Sequence, residues 1–128
     1  MAGRADPQVR TALQAQQYDT SVKACVALAR VFLADGYDVA IETAFEPDDF
    51  TRRWQPLLAG LAWRLVVLRP SLPITLSRSR SRSKRVLEQH TRTQHAATGG
   101  WSGDIQIDTT ELSVGRTVEI INDRLRAT

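Results

Sequence analysis

The sequence predicts an α/β fold with a short, mainly parallel sheet of about three strands flanked by helices. Segments with apolar residues at intervals of three and four alternate with short, continuous apolar runs. This alternation is typical of parallel sheets. Each apolar run ends at a charged residue: Glu42, Arg69 or Asp108. Because 128 residues suit one domain, we expect a single domain spanning residues 1–128.

The first helix is expected to begin at Pro7, with Asp6 before it as the N-cap. We expect Met1–Ala5 to be frayed. The polar sequence Tyr18–Ser21 suggests a break and a new cap. After it, Val22–Leu33 repeats apolar residues on one helical face, and Gly36 suits the residue that ends the helix.

Two strands and a helix are expected in the middle of the chain. Tyr37–Glu42 and Arg64–Leu68 are short runs that are apolar at their centres, as in buried parallel strands. Between them, Phe50–Leu61 has helical spacing of its apolar residues. The predicted order is therefore strand, helix and strand.

The last third is predicted to continue the alternation. Ser77–Gln94 reads as a basic helical segment, and the glycine-rich segment 96–103 as a loop. Ile105–Asp108 alternates apolar and polar residues, as a third strand does. Ser113 is expected to cap a final helix, in which arginines near the end complement the helix dipole.

Charge is unevenly spread along the chain, although the net charge is only +3. Residues 35–49 are acidic and residues 64–92 are basic, and this asymmetry favours an anionic ligand near the basic part. The single cysteine, Cys25, fits a reducing cytoplasm. No apolar run is long enough to span a bilayer, so we expect a cytoplasmic protein that does not enter the membrane.

The basic segment Ser77–Gln94 is the first candidate site. On one continuous helix, Arg78, Arg82, Arg85 and Arg92 share a face, and guanidinium groups match phosphate oxygens. A solvated helix face is the alternative. Nucleic-acid binding is a further, less favoured alternative, because no aromatic residue lies between the arginines to stack bases.

Two further candidates come from single residues. Glu42, at the end of its predicted strand, suits the orientation of Mg²⁺ or the acceptance of a proton from a substrate hydroxyl. A salt bridge is the alternative. His90 and His95 are five residues apart with no further ligand beside them, so we expect surface histidines and no metal site.

Four segments in order resemble the later part of a P-loop small-molecule kinase. The group is that of gluconate kinases, chloramphenicol phosphotransferases and AAA-type zeta-toxin-like ATPases. The resemblance covers nearly the whole chain from about Asp6 onward. The segments are ALARVFLADGYDVAIETAFEP, WQPLLAGLAWRLVVLRPSL, SRSRSRSKRVLEQHTRTQ and IQIDTTELSVGRTVEIIND.

The resemblance implies a partial three-layer fold, a nucleotide partner with ATP and Mg²⁺ as cofactors, and an unidentified small-molecule acceptor. It implies that Arg78, Arg82 and Arg85 belong to a lid that neutralises phosphates. It implies that the loop Asp108–Thr110 contacts the nucleotide base. Glu42 takes the place of the family's catalytic acid, which is usually an aspartate.

The family's opening strand and Walker A loop have no counterpart here. None of the seven glycines begins G-x-x-x-x-G-K-[ST]. We therefore expect a truncated kinase-like protein without autonomous phosphotransferase activity, in which Met1 is an internal start or the gene has decayed. The family's opening strand is central to the sheet, so its loss is expected to leave open edges that favour self-association. Alternatives are a non-catalytic binding or oligomerisation protein and a basic nucleic-acid-binding module.

Overall fold

The computed structural model describes residues 7–43, 46–82, 88–101 and 105–127. These residues form two compact units. Unit 1 consists of Met1–Thr43 and Asp49–Gly60, and unit 2 of Ala44–Asp48 and Leu61–Thr128. The segment Met1–Ala5, expected to be frayed, lies outside the described residues.

Unit 1 is built on one long helix, α1, which spans Pro7–Ala34 without interruption. The break predicted from Tyr18 to Ser21 is therefore wrong. The hydroxyl of Thr20 donates to the carbonyl of Gln16 at 3.0 Å, and that of Ser21 to the carbonyl of Tyr18 at 2.7 Å. Hydroxyl groups can either cap a helix or bond back to it, and in α1 they bond back.

The end of α1 agrees with the prediction, but the strand after it does not form. Gly36 has a φ of +87°, the left-handed conformation that favours glycine. The strand predicted over Tyr37–Glu42 is wrong: residues 37–43 have no regular secondary structure and are exposed. A strand needs a neighbour to satisfy its backbone groups, and no described residue pairs with this segment.

The helix predicted over residues 50–61 forms as two short turns, a π-helical turn (Phe50–Trp54) and a 3₁₀ turn (Gln55–Leu58). The α-helical turn α2 (Pro47–Asp49) precedes them. Pro56 explains why no regular α-helix continues, since proline lacks the N–H group and its ring clashes with the preceding turn. Gly60, with a φ of +80°, ends the segment.

The core of unit 1 lies between α1 and these turns. The side chain of Arg30 on α1 connects the helix to the 3₁₀ turn and the residue after it. It donates to the carbonyls of Leu57 at 2.7 Å and Ala59 at 3.0 Å. These two bonds satisfy carbonyl groups at the end of the 3₁₀ turn. The buried apolar residues of unit 1 are Val22, Val26, Ala29, Phe50 and Trp54.

Unit 2 contains a two-stranded parallel sheet and three helices. Strand β1 (Val66–Leu68) pairs with β2 (Ile105–Ile107), with Val66 opposite Ile105. Two helices, α3 (Leu72–Arg80) and α4 (Glu88–Thr98), form the crossover between the strands and pack against each other. The last helix, α5 (Val114–Arg126), packs against β2.

The basic segment Ser77–Gln94 contributes to two helices, so the helical face predicted to be shared by Arg78, Arg82 and Arg92 does not form. Helix α3 ends at Arg80, and the backbone N–H of Ser81 donates to the carbonyl of Ser77 at 3.2 Å. The Ser81 hydroxyl donates to the carbonyl of Arg78 at 3.0 Å. Serine side chains compete in this way for helical carbonyl groups, and the alternating serines of this segment weaken the helix.

Helix α5 begins as predicted. The Ser113 side chain accepts a hydrogen bond from the backbone N–H of Arg116 at 3.1 Å, which is the expected N-cap. The buried residues of unit 2 are Leu76, Ile105, Ile107, Thr109 and Thr117.

Helices and a small parallel sheet are thus combined in one chain, which is compatible with the predicted α/β class. The described part contains two strands where about three were predicted. No helix among the described residues has the length and apolar character that crossing a membrane requires.

Candidate functional site

The carboxyl ends of both strands meet at one edge of the sheet in unit 2. Arg69 follows β1, and its backbone N–H donates to the carbonyl of Ile107 at 3.0 Å, which extends the strand pairing by one bond. Two residues after Arg69, the backbone N–H of Ser71 donates to the hydroxyl oxygen of Thr110 at 2.8 Å. The loops after β1 and β2 are therefore joined directly. Ligands of parallel sheets bind at such an edge.

Arg78 joins the crossover helix α3 to the loop after β2. One guanidinium nitrogen donates to the hydroxyl of Thr109 at 3.1 Å, and the other to its carbonyl at 2.9 Å. Thr109 is only 5% exposed, so these bonds satisfy polar atoms that water barely reaches. A guanidinium group has five N–H donors, and the remaining ones are available to a ligand.

Asp108 and Thr110 form a tight turn at the end of β2. The Asp108 carboxylate accepts from the backbone N–H of Thr110 at 2.9 Å and also from its hydroxyl. The hydroxyl bond lowers the pKa of Asp108 most, followed by the backbone bond, and the positive charge of Arg69 lowers it further. Asp108 is therefore ionised at neutral pH, with one carboxylate oxygen held by Thr110.

Arg69 is fixed from its other side by α4. Its guanidinium group donates to the carbonyl of His95 at 3.0 Å and to the hydroxyl of Thr98 at 3.3 Å. The Nδ1 atom of His95 lies 3.4 Å from the same guanidinium group, and its Nε2 atom lies 2.8 Å from the carbonyl of Pro70. A carbonyl only accepts, so Nε2 carries the proton and Nδ1 is free to accept from Arg69.

A glycine lies directly against this arginine. A side chain at Gly99 would begin 3.3 Å from a terminal nitrogen of Arg69, which is a tight contact. The small residue at this position lets the turn after α4 lie close to the guanidinium group.

Four of the predicted site residues come together here, namely Arg78, Asp108, Thr109 and Thr110. Among the described residues of unit 2, Arg82 is the predicted site residue that makes no hydrogen bond with them. Arg82 lies beyond the end of α3 and is exposed. It therefore does not share a helical face with Arg78 or with Arg92, which lies on α4. Arg85 lies outside the described residues.

The prediction for Glu42 rested on a strand that does not form. Glu42 is exposed and belongs to unit 1, so it does not end a buried strand. A role in catalysis remains a prediction without that structural support.

Two contributors to the site were underestimated from the sequence. Arg69 was recognised as following a strand, but not as a residue held by a second helix. His95 was expected to be a surface histidine, whereas it is half-buried and hydrogen-bonded; His90 is exposed, as expected. A signal was present in the sequence, since a parallel crossover brings its returning helix beside the strand end.

The arrangement suits an anion better than a bare metal ion. Arg69 and Arg78 bring two guanidinium groups to one sheet edge, and such groups match phosphate oxygens. Asp108 is the ionised carboxylate of this edge, and Mg²⁺ at nucleotide sites is held by one or two carboxylates together with substrate phosphates. The residues thus fit Mg²⁺ only jointly with a phosphate ligand.

Comparison with protein-family models, curated proteins and solved structures finds no match to this chain.

Proposed function

We propose that this protein is a P-loop kinase-like protein that binds nucleotide phosphates at the sheet edge of unit 2 but does not transfer a phosphoryl group on its own. The observation that carries the proposal is the pair of hydrogen bonds from Arg78 to Thr109. They join the lid-like segment to the base-loop-like segment, which are the two parts that a nucleotide contacts in the family resembled.

The connection between the strands supports this proposal. In the family resembled, a strand runs into the lid, and the returning helix leads to the closing strand. Here β1 runs into α3, α4 returns, and β2 lies parallel beside β1. We also propose the three-layer P-loop architecture, which requires more strands than the two of this sheet.

The charges at the edge support binding of phosphate. Arg69 and Arg78 are both fixed by hydrogen bonds to neighbouring loops and helices, so little side-chain entropy remains to be lost when a ligand binds. The turn Asp108–Thr110 offers a carboxylate oxygen and backbone groups to the polar edges of a nucleoside. We propose ATP with Mg²⁺ as the ligand, and the acceptor is an unidentified small molecule.

The lack of autonomous activity follows from the chemistry of phosphoryl transfer. That reaction depends almost entirely on positioning and charge stabilisation around the phosphates. Part of this comes from the Walker A backbone and its lysine, and the sequence contains no such motif. Two arginines at the edge can attract phosphates, but they do not replace a loop that surrounds them.

A titration of MgATP followed by NMR chemical shifts tests the proposal. We expect millimolar to submillimolar binding, with shifts at residues 69–71 and 108–110. Arg78→Gln should weaken binding about tenfold, because it removes one of two phosphate-facing charges. The control is Arg126→Gln at the exposed end of α5, which should leave binding unchanged.

Two results would contradict the proposal in different ways. Magnesium-dependent ATP turnover by the purified chain, lost on Arg82→Ala, would refute the inactivity. Equal MgATP binding by the wild-type protein and Arg78→Gln, with both variants folded by thermal melting, would refute the site.

A second candidate function is assembly through self-association. Leu28 and Val31 on α1 are 60% and 61% exposed, and Leu68 at the end of β1 is 49% exposed. The outer side of each strand also pairs with no other described strand. Unpaired strands of this kind favour association. Sedimentation velocity at micromolar concentration decides this, since a well-folded monomer contradicts assembly.

A further inference from the structure

Unit 1 contains a pocket whose lining residues are distinct from those of the sheet-edge site. It has a volume of about 240 Å³ and lies between α1 and the turns that follow residue 49. Pro56 and Leu57 contribute an apolar surface to the pocket, and the buried Val22 lies beneath it. Sites for drug-sized ligands have volumes of about 300–1,000 Å³, so this pocket suits a smaller molecule.

The charged residues of this pocket are mainly basic. Lys23, Arg52 and Arg53 line it together with a single acid, Asp19. The acid is already used, because its carboxylate lies 3.4 Å from the Nε atom of Arg53. An excess of positive charge therefore remains in the pocket.

Arg53 is held in place and neutralised, whereas the other two cations are not. Its Nε atom also lies 3.3 Å from the carboxylate of Asp49, and its guanidinium carbon lies 4.8 Å from the centre of the Tyr18 ring. The side chains of Lys23 and Arg52 make no hydrogen bond or ion pair with another described residue. Both are exposed, so their charges can turn towards a ligand at low cost.

From this juxtaposition we propose that the pocket binds a small organic anion with a short apolar body. The carboxylate or phosphate of the ligand lies between Lys23 and Arg52, and its apolar part contacts Pro56 and Leu57. An apolar surface alone would accept neutral molecules, and exposed cations alone would accept any salt ion. Their combination selects a ligand that has both parts.

Benzoate is the probe for this proposal, because it joins one carboxylate to one apolar ring. Titration of the full chain, followed by amide chemical shifts, should give a dissociation constant of roughly 1 mM. The shifts should centre on residues 22–23 and 52–57. Lys23→Gln and Arg52→Gln should each weaken binding at least threefold, and the double variant at least tenfold.

Two comparison ligands separate the contributions. Benzyl alcohol has the ring without the charge, and inorganic phosphate has the charge without the ring, so both should bind at least fivefold more weakly than benzoate. The matched control, Arg126→Gln in unit 2, should bind benzoate like the wild-type protein. Benzoate should cause no chemical-shift changes at residues 108–110. The absence of these changes separates binding in the pocket from binding at the sheet-edge site.

The proposal is overturned if benzoate causes no shifts in unit 1 at 20 mM. Equal binding of benzyl alcohol overturns it as well, because the cations then contribute nothing. Phosphate binding that shifts residues 22–23 and 52–57 as strongly as benzoate overturns it as well, because the apolar surface then contributes nothing. Both substituted residues are exposed, so thermal melting should match the wild-type protein and show that any loss of binding is local.

Discussion

Replacing Tyr18 by phenylalanine removes one hydroxyl oxygen from the contact between α1 and residues 49–54 of unit 1. The Tyr18 hydroxyl donates to the carboxylate of Asp49 at 2.6 Å and accepts from the indole N–H of Trp54 at 3.4 Å. This oxygen therefore links α1 to the π-helical turn. The ring of Tyr18 and its contact with Arg53 are kept in the variant.

The expected cost follows from the partners of that hydroxyl. A hydrogen bond to a charged group contributes about 1.5–3 kcal/mol. Tyr18 is only half-buried, and Asp49 keeps the guanidinium group of Arg53 at 3.3 Å. We therefore expect the lower part of this range, and the free energy of unfolding should fall by about 1.5 kcal/mol.

Urea unfolding, followed by tryptophan fluorescence and circular dichroism, measures this loss. With a slope of about 1.5 kcal/mol per molar urea, the midpoint should fall by about 1 M. Tyr37→Phe is the matched control, since Tyr37 is 62% exposed and its ring contact with Phe32 does not need the hydroxyl. It should change stability by less than about 0.5 kcal/mol. Equal midpoints for the two variants would refute the reasoning.

Alkaline pH gives an independent check of the same contact. Burial of the hydroxyl and then its bond to Asp49 raise the pKa of Tyr18 above its ordinary value of 10.0. The stabilisation is fully present below the pKa of the unfolded chain, about 10, and is lost as pH rises through the raised pKa. The stability difference between the wild-type protein and Tyr18→Phe should therefore narrow above pH 10.

Three further predictions concern local features of both units. Ser113→Ala removes the N-cap of α5 and should destabilise the protein by about 1 kcal/mol, whereas Ser77→Ala on the exposed side of α3 should change little; urea unfolding compares them. Hydrogen bonds from Arg92 and Arg80 lower the pKa of Glu88. The stabilisation that Glu88 provides is therefore present above the pKa of the unfolded chain, about 4.3, and is lost as pH falls through the lowered pKa. The urea midpoints of the wild-type protein and Glu88→Gln should converge in acid. Gly36→Ala forces a side chain into a φ of +87° and should cost about 1–2 kcal/mol, while Gly115→Ala within α5 meets no atom within 4 Å and should stabilise by about 0.5–1 kcal/mol; opposite shifts in melting temperature check this pair.

Features that depend on neighbouring residues in the chain were predicted well. The N-cap at Ser113 and the helix end at Gly36 each need only a few adjacent residues. The strands Val66–Leu68 and Ile105–Ile107 lie within the predicted segments, where short runs rich in β-branched residues favour a strand.

Features that depend on distant partners were predicted poorly. Tyr37–Glu42 has the composition of a strand, but composition does not supply the neighbouring strand that its backbone needs. In the same way, the hydroxyls of Thr20 and Ser21 could either cap a new helix or donate to carbonyls of the preceding turn. The contact of Tyr18 with Asp49, 31 residues away, favours the second arrangement. A parallel crossover indicates that the returning helix lies beside Arg69, but not that His95 is the residue in contact with it, since 26 residues separate the two.

The candidate site was predicted in its parts more than in its arrangement. Arg78 and Thr109 were both named from the sequence, yet their direct contact depends on how α3 lies beside the loop after β2. One helix through residues 77–94 would have presented a row of arginines. The early end of α3 instead leaves one anchored arginine at the sheet edge and a second one, Arg69, supplied by the strand.

The long crossover between the strands determines when the sheet can form. Pairing of Val66 with Ile105 closes a loop of about 40 residues, and the entropy of closing such a loop costs roughly 3 kcal/mol. Strands of three residues return few hydrogen bonds for this cost. We therefore expect α3 and α4 to pack and shorten the loop before the strands meet, so that the sheet edge forms late in folding and opens early.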